Sequence, residues 1–174
     1  MTRAALLALC LLAPAVQAQD LLPGSLEEER AVYAAVRAVF DIPEAEPYFY
    51  LGTVSGRPRK LAPGGDTPVE RLDAWLEDQA SDTVRVTELL THLTRPFVAV
   101  LPATDAGWRA FRQAHGPHAR IIVLSRVGFD STRTQAVLRI SDVCGGRCGD
   151  RMTGFTLRKD STGWHVTGRS TLVD

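Results

Sequence analysis

Apolar residues in the first two thirds of the chain recur at helical spacing and predict three helices. The first begins at the S-x-x-E capping box of Ser25 and Glu28, in which each side chain satisfies an orphan amide. The second follows the N-cap, proline and glutamate of residues 67–70, and the third follows a cap at Thr104. Their apolar faces, expected to be core, are Val32, Tyr33, Val36, Val39 and Phe40; Leu72, Trp75 and Leu76; and Trp108, Phe111 and His115.

Residues 83–93 fit two kinds of element. Their leucines and Val86 have helical spacing, whereas residues 83–87 alternate and are rich in β-branched side chains. A helix is the preferred prediction, and a strand remains the alternative.

Period-two alternation predicts the strands. Residues 48–54 predict one strand, and the apolar run 97–101 predicts a buried one. Four extended segments separated by turn residues follow, at 120–129, 134–143, 151–159 and 163–171, and Ala136, Leu138 and Ile140 share one face. The sequence therefore predicts an α+β fold, with N-terminal helices packed on a C-terminal antiparallel β-meander.

The first 18 residues have the pattern of a signal peptide. Arg3 precedes an apolar run too short to span a bilayer, and small residues lie ahead of Gln19. Lipidation at Cys10 is disfavoured, because Leu9 is large where lipoprotein processing requires a small residue. We expect one exported domain over residues 19–174, periplasmic or secreted, without a transmembrane segment after cleavage.

Charge is balanced, with 20 basic and 20 acidic residues. Loss of Arg3 with the leader would bring the net charge to about −1, which predicts no nucleic-acid partner. Only a local cluster could bind anions. Arg57, Arg59 and Lys60 form one such cluster, in a loop that is more simply explained as solvated.

The segment 144–149, Cys-Gly-Gly-Arg-Cys-Gly, is called the knot below. In an oxidising compartment the preferred hypothesis is a Cys144–Cys148 disulfide, since the glycines permit the sharp turn that it requires. A redox-active pair assisted by Arg147 is a weaker alternative, because redox motifs usually have C-x-x-C at a helix start. Metal binding is disfavoured, because no further ligands have suitable spacing.

No complete catalytic set is recognisable. Ser125 lacks a G-x-S-x-G elbow, and Arg126 is expected to form a structural ion pair. His115 and His118 are separated by Gly-Pro, which breaks the helix that a two-histidine metal site would need. We predict no metal and no cofactor. One cleft containing Asp142, Asp150, His165 and Arg126 would instead indicate an enzyme.

Several short motifs lie in the last third of the chain. They are SRVGF at 125–129, TQA at 134–136, the knot, and GW at 163–164, preceded by Trp108 and Phe111. Residues 104–170, which carry them, resemble the C-terminal part of a group of uncharacterised exported bacterial proteins. The resemblance implies a shared domain and no known activity. Arg151-Met152 departs from it, because the group has aromatic residues soon after the knot.

The preferred functional prediction is a non-enzymatic exported binding or interaction domain. A hydrolase-like enzyme with a site assembled from distant residues is the alternative, and a thiol redox protein is a weaker one. The residues predicted as possible ligand or anion contacts are Arg57, Arg59, Lys60, Arg126 and Arg147.

Overall fold

A computed structural model describes residues 21–37, 39–40, 48–55, 71–72, 75–76, 83–90, 96–145 and 149–173. The helices are α1 (Leu26–Arg37), α2 (Val86–Leu89) and α3 (Asp105–His115), and residues 71–72 and 75–76 are also helical. The expected signal peptide with Cys10, and also Arg57, Arg59, Lys60, Arg147 and Cys148, lie outside the described residues.

The described strands form one sheet of eight strands and one separate pair. The pair consists of β3 (Thr53–Ser55) and β4 (Thr83–Arg85). The strands of the large sheet are β1 (Leu22–Pro23), β2 (Tyr48–Leu51), β5 (Phe97–Val98), β6 (Arg120–Leu124), β7 (Gly128–Phe129), β8 (Gln135–Val143), β9 (Arg151–Asp160) and β10 (Gly163–Val173).

The large sheet is mixed. On one side of β8 lie β6 and β7 in succession, and on the other side lie β9 and then β10, all antiparallel. Two parallel strands, β2 and then β5, extend the sheet beyond β6. The α+β class is confirmed, and so are the extended segments predicted at 134–143, 151–159 and 163–171, whereas the segment predicted at 120–129 is divided into β6 and β7. The parallel strands were not predicted as part of this sheet.

Both faces of β8 are buried. Ala136, Leu138 and Ile140 lie in one buried cluster with α1 residues such as Val32 and Val36. On the opposite face Val137 packs with Leu72 and Leu76, and Val143 packs with Trp108 and Ile121. Sequence alternation predicted the first face correctly. The second face is more buried than expected, because helical residues cover it as well.

The start of α1 confirms the capping box. The Ser25 amide donates to Glu28 Oε2 at 2.8 Å, and the Glu28 amide donates to Ser25 Oγ at 3.3 Å. The helix ends at Arg37, earlier than the apolar stripe suggested, so that Val39 is 49% exposed. Phe40 still contacts the core, because its ring packs edge-on against Phe155.

Two strand predictions and one helix prediction require correction. Residues 48–54 are not one strand, because the Gly52 amide donates to Val98 O while the Gly52 carbonyl accepts from the Val86 amide. The helix preferred for residues 83–93 begins only at Val86, because residues 83–85 pair with β3. Of the predicted buried strand 97–101, only Phe97–Val98 is a strand, and it lies at the sheet edge with Phe97 42% exposed.

Candidate functional site

A buried ion pair joins α1 to the segment between β6 and β7. Arg126 donates from Nε to Glu29 Oε1 at 2.8 Å and from Nη2 to the same oxygen at 2.5 Å. The Val127 amide donates to Glu29 Oε2 at 3.2 Å. The Glu29 side chain is 0% exposed and that of Arg126 is 6% exposed. Arg126 is therefore committed to an internal carboxylate and is not presented as a surface anion contact.

Alternation places Arg126 on the same side as Leu124, which lies in the α1 cluster, and a bulge surrounds it. Leu124 pairs with Ile140 and Gly128 pairs with Val137, so the three residues between β6 and β7 lie opposite two residues of β8. The extra residue shifts the alternation by one position. Sequence alternation could not predict this shift. Glu29 was also missed, although it lies three residues before Val32 on the apolar stripe of α1, which is a signal for a buried carboxylate.

Ser125 has a structural role in the same bulge. Its hydroxyl donates to Arg126 O at 2.8 Å and accepts from the Arg139 amide at 2.8 Å. Tyr33 OH donates to the Ser125 carbonyl. Burial is the main cause that raises the pKa of Tyr33 well above its ordinary value, and the negative charge of Glu29 adds to it. These bonds use the serine hydroxyl as both donor and acceptor, so it is not poised as a nucleophile.

Both backbone polar groups of Cys144, the first residue of the knot, form hydrogen bonds with side chains. Arg112 of α3 donates from Nη1 to Cys144 O at 2.8 Å, and the Cys144 amide donates to Asp150 Oδ1 at 2.8 Å. The other two cysteines of the chain, Cys10 and Cys148, lie outside the described residues. The pairing with Cys148 therefore remains a prediction.

The four residues proposed as a possible catalytic cleft do not converge. Asp142 accepts from Arg120 Nε at 2.5 Å near the C-terminal end of β8. His165 Nε2 lies 3.2 Å from Asp160 Oδ1. His165 pairs with Arg158 of β9, and Arg158 pairs with Gln135 at the opposite end of β8. Seven residues of strand separate these ends by about 23 Å. The four side chains therefore do not lie in one cleft.

The most unusual exposed feature is an uncharged apolar run at the β5 edge. Residues 97–101, Phe-Val-Ala-Val-Leu, lie between Pro96 and Pro102. Phe97 is 42% exposed and Val100 is 76% exposed, while Ala99 is also exposed. We call residues 97–101 the apolar edge. Consecutive exposed apolar residues beside a sheet edge are typical of an interaction surface.

Backbone pairing leaves one side of the apolar edge open among the described strands. The Tyr50 amide of β2 donates to Pro96 O at 3.0 Å, and the amide of Gly52, directly after β2, donates to Val98 O at 2.8 Å. Because backbone groups alternate along a strand, the N–H and C=O of Phe97 point away from β2. No described strand pairs with that side of β5. An added strand would find both hydrogen-bonding groups and apolar side chains there.

Neither a metal-binding cluster nor a membrane-spanning helix is found in the described part of the chain. No group of three or more histidine, cysteine, aspartate or glutamate side chains is arranged to hold a metal ion. No described helix has both the length and the apolar character needed to span a bilayer.

Comparisons with known proteins do not identify a relative. No family model matches the chain, and neither curated proteins nor solved structures give a match.

Proposed function

We propose that this protein is an exported, non-enzymatic interaction domain that binds its partner through the apolar edge. The observation that carries the proposal is the exposure of Phe97 and Val100 beside a strand edge with which no other described strand pairs. A peptide strand that adds to such an edge gains main-chain hydrogen bonds, and its side chains bury the exposed apolar surface.

The polar groups that could have catalysed a reaction are used in contacts within the fold or lie far apart, which favours a binding role. Ser125 and Arg126 are buried in contacts within the fold. Asp142 is paired with Arg120, and His165 is close to Asp160 at the far end of the sheet. An enzyme needs such groups to converge on one reacting atom.

The remaining parts of the proposal concern export and architecture. The leader and the resemblance of residues 104–170 to exported bacterial proteins support a periplasmic or secreted location. The cluster that α1 shares with β8 and β9 supports an architecture of N-terminal helices packed on the antiparallel meander. The Cys144–Cys148 disulfide would act as a structural staple in that compartment.

Site-specific photocrosslinking in cells that export the protein tests the interaction role. A benzophenone amino acid at Val100 is expected to give a discrete crosslinked product, because this side chain is 76% exposed beside the open edge. The same amino acid at Arg158, an exposed position of β9 away from that edge, serves as the control. Absence of a product at Val100, or equal products at both positions, would overturn the proposed function.

A further inference from the structure

We propose that the partner at the apolar edge is a second copy of this chain, whose own apolar edge pairs antiparallel with the first. The two mixed sheets would then continue across a twofold axis. This inference rests on the proposed function and specifies the partner of the same surface.

The burial of residues 97–101 does not match their sequence pattern. Five consecutive apolar residues are typical of a strand covered on both faces. In the single chain, however, Phe97, Ala99 and Val100 are exposed, and only Val98 and Leu101 reach the cluster around Trp108. A second strand alongside the run would remove this mismatch, because it would bury the exposed side chains and pair the outward backbone groups.

The run is complementary to itself. A twofold axis perpendicular to the sheet keeps each face on the same side, so paired residues must have numbers of equal parity. With Ala99 at the axis, Phe97 lies opposite Leu101 of the second copy and Val98 lies opposite Val100. Every pair is apolar, no like charges oppose each other, and the smallest side chain lies at the crowded centre.

Proline limits the paired segment. Pro96 and Pro102 have no amide hydrogen, so the added ladder would be confined to the five residues between them. Ala99 and Val100 form a bend in the single chain, and pairing would require this bend to extend. A contact of this length is small, and we expect a dimer of roughly micromolar or weaker affinity.

The other edges of the large sheet are protected against pairing. On β10 the register shifts between Val166 and Gly168, and Arg169 lies over the Phe155 ring at 5.8 Å. A bulge and a charged side chain on an edge strand are devices that block strand addition. The two-residue strand β1 contains Pro23, which lacks a ladder donor. The apolar edge has neither a charge nor a proline within its five residues.

Sedimentation equilibrium of the protein purified after export tests the dimer. We expect a monomer–dimer equilibrium, and Val100→Lys should raise the dissociation constant by more than about tenfold by placing like charges near the axis. Ala99→Pro should do the same by removing the central amide donor. Val39→Lys is the matched control, because Val39 is also an exposed apolar residue, 49% exposed, away from the edge.

Circular dichroism and melting temperature establish that the variants fold. A monomer at every concentration, or a dimer that Val100→Lys and Ala99→Pro leave unchanged, would overturn the second-copy proposal. A photocrosslink from Val100 to a different protein only would overturn it too, while leaving the interaction role intact. A product of twice the chain mass that is lost on dilution would support it.

Discussion

The backbone of Gly145 lies against the indole ring of Trp108, and no side chain fits between them. A Cβ atom on Gly145 would be 2.3 Å from Cγ of the indole. The residue also has a φ of 69°, which side chains other than glycine rarely adopt. The hydrogen bond from Arg112 to Cys144 O is adjacent. The knot is therefore attached to α3 by packing and by a charged hydrogen bond.

Gly145→Ala should destabilise the protein by about 2 to 4 kcal/mol, because backbone strain and overpacking against Trp108 add together. Urea denaturation measures the change. The matched control is Gly145→Ala in a Trp108→Ala background, where the indole ring is absent and only the backbone strain remains. An equal loss from Gly145→Ala in both backgrounds would contradict the packing argument.

The Glu29–Arg126 ion pair predicts a strong asymmetry between single and double substitutions. Glu29→Gln should cost about 3 to 5 kcal/mol in unfolding free energy, because it leaves the buried guanidinium without this counter-charge. Glu29→Leu combined with Arg126→Met should cost less than the sum of the two single changes, because neither charge remains. Additive losses in denaturant unfolding would show that the two side chains are not coupled.

Some parts of this fold could be predicted from local sequence. The Ser25 capping box and the long strands β8, β9 and β10 depend on neighbouring residues, and their patterns are unambiguous. The bulge at residues 125–127 could not be predicted, because an extra residue in a strand is visible only against its partner. Parallel pairing of the short strands β2 and β5 likewise depends on distant segments.

The candidate site was harder to predict than the fold. The apolar run 97–101 predicted a buried strand, but such a run does not distinguish a covered strand from an edge strand, and only Phe97–Val98 is a strand in the structure. The sequence indicated Arg126 as a possible anion contact and, preferably, as a member of a structural ion pair, and the structure shows the ion pair. Which residues are buried depends on the whole fold, so the sequence alone could not tell that most of the apolar run 97–101 is exposed while Arg126 is buried.

Tyr33 should ionise only when the protein unfolds. Burial raises the pKa of Tyr33 above the ordinary value of 10.0, so its protonated form is favoured in the folded state. Its contribution to stability is therefore fully present below about pH 10 and is lost as the pH rises further. In an absorbance titration of the three tyrosines, one phenol should ionise together with loss of structure. Tyr33→Phe should remove that step, and normal ionisation of all three in folded protein would contradict the prediction.

The knot should contain no reactive thiol in the exported protein. Alkylation of unfolded protein should label neither Cys144 nor Cys148 before reduction and both after it. Replacing both cysteines with serine should lower the unfolding free energy by about 2 kcal/mol, because the chain loses a short cross-link. Labelling of either cysteine before reduction would contradict the pairing. A melting temperature unchanged by reduction would exclude a stabilising role.

In the turn between β9 and β10, the Asp160 carboxyl should titrate at an unusually low pH. The hydroxyl and backbone amide of Thr162 donate to Asp160 and are the main causes that lower its pKa to about 2. Because the ionised form is favoured in the folded state, the contribution to stability is present above the ordinary pKa of 3.8 and is lost as the pH falls towards 2. In a carboxyl titration by NMR, Thr162→Val should raise the pKa of Asp160 more than His165→Gln does. Thr132→Val, which removes a hydroxyl bonded to Asp130 in the neighbouring loop, should leave the pKa of Asp160 unchanged. A larger effect from His165→Gln would mean that the histidine, and not the threonine, controls this carboxylate.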